Sequence, residues 1–91
     1  MIVEVCDFGA GAARLLAEYD AERDAVRVNR SAVERVAALC GEAEAQRFVR
    51  CAVEHELLHR ARPDASEASA HAHARAASGA DPAFYAALLR S

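Results

Sequence analysis

The chain has 91 residues, a mass near 9.7 kDa and a net charge of −3 at pH 7. That length suits one small domain over residues 1–91, whose core is limited enough that a bound metal or a partner would add to its stability. No apolar run approaches the roughly 20 residues that span a bilayer, and the arginines are dispersed rather than gathered on the positive face that nucleic acid requires, so neither membrane nor nucleic acid is an expected partner.

Ile2-Val3-Glu4-Val5 is rich in β-branched residues and is expected to form a short strand. The opening stretch carries Glu4 and Asp7 and no basic segment, so it does not read as a secretory signal. Gly9 and Gly11 loosen the chain after it. Ala13 to Tyr19 suits either helix or strand, and strand is the preferred reading. The polar turn Asp20–Asp24 and the alternating segment Ala25-Val26-Arg27-Val28-Asn29 follow, and together these elements predict a hairpin.

From Ser31 the pattern turns helical. Ser31-Ala32-Val33-Glu34 reads as a capping box with Ser31 as N-cap, and Gly41 is a plausible stop. A second helix is expected from about Ala43 to Arg62, closed by Pro63, with Phe48, Cys51, Ala52, His55 and His59 on one face. Asp64-Ala65-Ser66-Glu67 reads as another capping signature, opening a third helix that runs to about Ser78 before Gly79. Asp81-Pro82 starts a last short helix, with Asp81 as N-cap. The expected fold class is therefore α+β: short N-terminal strands or a hairpin followed by three or four helices.

His55-Glu56-Leu57-Leu58-His59 matches H-E-x-x-H inside the longest of these helices. Histidines at i and i+4 project from one helical face about 5–6 Å apart, a span that two imidazoles can close onto one metal ion. Glu56 is offset by about 100° and could reach a metal-bound water as general base without ligating the metal. A catalytic zinc site needs a third protein ligand. If the chain reverses at Pro63, Glu67 comes level with His59, and His71 comes level with His55. Glu67 is the expected third ligand, although a capping box with Asp64 is a competing explanation for it. His71 is the alternative ligand, or else a group that hydrogen-bonds beside the metal. His73 is turned about 200° from His71 and is expected on a solvated face. Cys51 is expected to serve as a small packing residue.

This pattern resembles the gluzincin metallopeptidases, in which an H-E-x-x-H helix is followed by a helix carrying a glutamate ligand, here Glu67-Ala68-Ser69-Ala70-His71. The order of elements also resembles the minigluzincins and the metallopeptidase domain of the ImmA/IrrE group, over roughly Ala13 to Ser78. Two features depart from the usual pattern: the His59–Glu67 gap is short, and His71 stands where relatives often carry Asp. The resemblance implies a zincin-like fold and hydrolysis of peptide or protein substrates with one zinc ion. It implies His55, His59 and Glu67 as metal ligands and Glu56 as general base. An edge strand would hold an extended peptide, with Ala25–Asn29 the candidate, and His71, His73 and Tyr85 are candidates for a hydrogen bond to the oxyanion. The alternative function is a non-catalytic, zinc-stabilised interaction or regulatory module. Cys6, Cys40 and Cys51 are odd in number and lack paired spacing, which argues for a reducing, cytoplasmic setting.

Overall fold

In the computed structural model, which describes residues 1–9 and 16–90, the N-terminal third forms three strands: β1 (Ile2–Cys6), β2 (Ala17–Asp20) and β3 (Ala25–Asn29). Four helices follow: α1 (Arg30–Cys40), α2 (Glu42–Ala61), α3 (Glu67–Ser78) and α4 (Pro82–Arg90). The protein is thus α+β. The hairpin consists of β2 and β3, paired antiparallel with Tyr19 opposite Val26. Its turn is held by the Asp20 carboxylate, which accepts backbone N–H bonds from Glu22 at 3.1 Å and Arg23 at 3.4 Å. Of the segment Ala13 to Tyr19, residues 17–19 are strand; residues 13–15, like Gly11, lie outside the described residues.

The expectation that Ala25–Asn29 is an edge strand is corrected. The sheet order is β1-β3-β2, because β1 pairs parallel with the other side of β3, Val3 opposite Val26 and Val5 opposite Val28. Val26 and Val28 are fully buried, whereas Val3 and Val5 on β1 stay exposed. The central position goes to the strand with the most apolar surface to bury from both sides. α2 packs against β2 and β3, so β2 is the edge strand on the side of the H-E-x-x-H helix.

The expected N-cap of α1 is displaced. β3 runs into α1 without a linker, and Asn29, not Ser31, is the N-cap: its side chain accepts from Ser31 N–H at 3.2 Å and from the Ser31 hydroxyl at 3.1 Å. Asn29 is buried, so its amide oxygen serves the helix end out of competition with water. Asn29→Ala is therefore expected to cost about 1 kcal/mol in urea denaturation, and Ser31→Ala distinctly less. Gly41 ends α1 with its N–H on the Ala37 carbonyl at 2.9 Å, and its φ of 96° lets α2 begin at the next residue.

The core lies where the helices cover the sheet, with Val26, Val28, Val36, Phe48 and Tyr85 as its largest buried side chains. Phe48 of α2 meets Tyr85 of α4 edge to face, with ring centroids 4.9 Å apart. The Tyr85 hydroxyl donates to Glu44 Oε1 at 2.7 Å, which fastens α4 to the first turn of α2. Among the described residues, no helix is long and apolar enough to cross a membrane.

Candidate functional site

The site is built on the turn between α2 and α3. Pro63 disfavours helical geometry at the residue before it, and Arg62 accordingly leaves the helix at φ −136°, ψ 83°. The Arg62 N–H bonds to Leu58 O at 2.7 Å and Ala65 N–H bonds to Arg62 O at 3.0 Å, so the chain reverses within a few residues. Ser66, not Asp64, caps α3, its hydroxyl accepting from Ser69 N–H at 3.1 Å. Glu67 is then the first helical residue rather than the capping-box partner of Asp64, and that competing explanation for it falls away. Ala70 and Ala74, both fully buried, lie on the same stripe of α3, and side chains this small let α3 approach α2 closely.

The antiparallel pairing brings His55, His59, Glu67 and His71 together. His55 and His59, one turn apart on α2, have ring centroids 4.9 Å apart. The Glu67 carboxylate lies between them: Oε2 is 3.1 Å from His55 Nε2, and Oε1 is 2.9 Å from His59 Nε2. His71 approaches from the next turn of α3, with its Nε2 3.6 Å from Glu67 Oε2 and its ring centroid 5.2 Å from that of His55. One ligand atom each from His55, Glu67 and His71 lies within 4.8 Å of the others. His59 joins this group through the second oxygen of Glu67.

Glu56 is half-buried behind His55, with Oε1 3.5 Å from His55 Nδ1. Contact with Glu56, joined by Glu67 and working against desolvation, raises the pKa of His55 above its ordinary value. At Glu67, desolvation pushes the carboxyl pKa up, but hydrogen bonds and charge from His55 and His59 together outweigh it and hold the pKa below its ordinary value. The Glu67 side chain is 70% exposed, so the group opens directly to solvent.

His55, Glu56, Glu67 and His71 also border a cleft of about 400 Å³, bounded on its other sides by β2, the middle of α2 and α4. Of the three candidate oxyanion donors, only His71 lies on this cleft as a polar group with its imidazole toward the site. Tyr85 presents its ring to the cleft, but its hydroxyl is committed to Glu44. His73 is exposed, as expected, and pairs with Glu54 of α2 at 3.1 Å. The sequence carried the signal for that pair: Glu54 and His73 lie nearly equidistant from Pro63, by the same counting that aligns His59 with Glu67. Cys51 is buried in the core beneath the cleft, and desolvation raises its thiol pKa.

Compared with protein-family models, curated proteins and solved structures, the chain matches none. The geometry of the site therefore carries the functional reading.

Proposed function

We propose that the protein is a minimal zinc-dependent peptidase of gluzincin type, with His55, His59 and Glu67 as metal ligands and Glu56 as general base. The observation that carries this reading is the Glu67 carboxylate, which meets Nε2 of both motif histidines through separate oxygens. The donor set fits zinc. Ligands about 2.0–2.1 Å from a tetrahedral ion stand about 3.3–3.4 Å apart, and the separations of Glu67 from His59 and His55, 2.9 and 3.1 Å, lie a few tenths of an ångström inside that spacing. Two imidazoles and one carboxylate are also ligand types that zinc takes in hydrolytic sites, with a position left open.

A bound zinc would supply a Lewis acid that acidifies water and polarises a peptide carbonyl. Glu56 takes a proton from the attacking water and returns it to the leaving amine. His71 donates a hydrogen bond to the oxygen on which negative charge develops. The β2 edge, whose first residue Ala17 borders the cleft, offers backbone groups to an extended peptide. The three free cysteines support a reducing, cytoplasmic setting for this activity.

One observation favours a second reading. His71 Nε2 lies 3.6 Å from the Glu67 oxygen that meets His55, and four protein ligands would make a closed, structural site in a non-catalytic module. Two measurements separate these readings. The tag-free, zinc-loaded protein should cleave a mixed peptide pool, and chelation should stop it. In competition with a zinc chelator, Glu67→Ala should weaken zinc binding more than His71→Ala, which should lose about 10–100-fold in affinity or rate. Equal, large losses for both variants, without peptide cleavage, would favour the structural module.

A further inference from the structure

The cleft beside the site changes character along its length. On α2 it is lined by Phe48, Cys51 and Ala52, and then, one turn on, by His55 and Glu56. β2 contributes Ala17 with the preceding Leu16, and α4 contributes Pro82, Ala86 and the ring of Tyr85. Every ionisable group on it apart from the buried Cys51 thiol and the engaged Tyr85 hydroxyl belongs to the His55–Glu56–Glu67–His71 end. The far end is walled chiefly by carbon, and a charged side chain placed there would be desolvated without a partner. Three of the elements that border the cleft each contribute an alanine to its wall: Ala17 on β2, Ala52 on α2 and Ala86 on α4. Its volume of about 400 Å³ lies near the small end of the roughly 300–1,000 Å³ spanned by ligand pockets.

We propose that this cleft is a side-chain pocket that takes an aliphatic or aromatic residue next to the scissile bond, with Ala86 of α4 setting its depth. The position next to the scissile bond rests on the peptidase reading. The apolar pocket and its size-setting residue rest on the cleft itself. A leucine or phenylalanine side chain fills carbon-lined space there, while its peptide unit lies level with His55 and Glu56. Acidic side chains are disfavoured by the apolar walls, which would desolvate the carboxylate without a partner. α4, fastened by Tyr85 to Glu44 and by Phe48, is thereby a wall of the site rather than a passive cover.

The test has a binding arm and a cleavage arm. In the first, N-acetyl-leucinamide is titrated into the isotope-labelled, zinc-loaded protein, with N-acetyl-glutamamide, bearing a polar side chain, as control. The leucine compound should shift the amide signals of Ala52, Ala86 and His55, and Ala86→Leu should abolish those shifts. In the second, peptides differing only in the residue beside the cleaved bond should be cut in the order leucine or phenylalanine, then alanine, then glutamate. One methylene in an apolar pocket is worth about 10–200-fold in discrimination, so Ala86→Val and Ala86→Leu should lower the leucine-to-alanine ratio of kcat/KM stepwise, by about tenfold or more for the larger residue. Binding of the leucine amide without cleavage of any peptide would keep the pocket and remove the peptidase reading. Cleavage with no apolar preference, and a ratio unmoved across the Ala86 series, would overturn the pocket while leaving the peptidase. Absence of both the shifts and the preference would overturn the pocket outright. The wild-type titration does not depend on the variants folding.

Discussion

Glu56→Gln is expected to lower peptide hydrolysis by about 10²–10⁴-fold, the usual worth of a positioned general base, while zinc stays bound at the wild-type ratio. The exchange is nearly isosteric and removes only the capacity to take a proton. Its outcome is informative because Glu56 has a second possible role: its Oε1 lies 3.5 Å from His55 Nδ1, on the side of the ring away from Glu67. A carboxylate in that position orients a ligand imidazole, and losing such a partner typically costs about 10–100-fold in metal affinity. The glutamine amide oxygen can still accept from Nδ1–H, so orientation survives the substitution and basicity does not. Activity lost with zinc retained identifies the base. Zinc released in parallel with activity would make Glu56 a positioning residue and contradict the proposed mechanism.

His55→Ala and His59→Ala should each reduce zinc affinity by more than the roughly 100-fold that an outer partner accounts for, because each removes one of three ligands. His59 is the sharper case. Its ring nitrogen meets the group through Glu67 Oε1, at 2.9 Å, and its ring lies against that of His55, whereas His55 also touches His71 and Glu56. With His59 gone, His55, Glu67 and His71 still lie within 4.8 Å of one another. Chelator competition on the purified variants reads the result. If His59→Ala binds zinc as the wild type does and His71→Ala does not, the ligand set is His55, Glu67 and His71, and the H-E-x-x-H motif is only half used.

The facing of His55 and His59 by Glu67 and His71 was legible in the sequence because it needs only helical periodicity and one reversal at Pro63. A long helix with a proline stop fixes both. The start of α3 was less legible. Asp64 and Ser66 are both good N-caps, and the choice between them depends on how many residues the turn consumes, which the Ala65-to-Arg62 hydrogen bond decides. That shift of two residues frees Glu67 from a capping role. In the sheet, β-branched residues marked Ile2–Val5 and alternation marked Ala25–Asn29 as strands, but strand order depends on a parallel pairing across more than twenty residues, and no local pattern encodes it. The cleft was not legible at all, because Ala17, Ala52 and Ala86 are unremarkable in a chain with 24 alanines until three separate elements meet.

Zinc binding at this site is tested by elemental analysis of protein purified without a histidine tag, paired with thermal melts with added zinc and with chelator. About one zinc per chain is expected. Ligand at 100 times its Kd contributes about 2.7 kcal/mol to stability, and 1 kcal/mol is worth about 4–8 °C in a domain of this size, so zinc at that level should raise Tm by roughly 10–20 °C over the chelated protein. Protein that carries no zinc, with a Tm that added zinc leaves unchanged, would contradict zinc binding at this site.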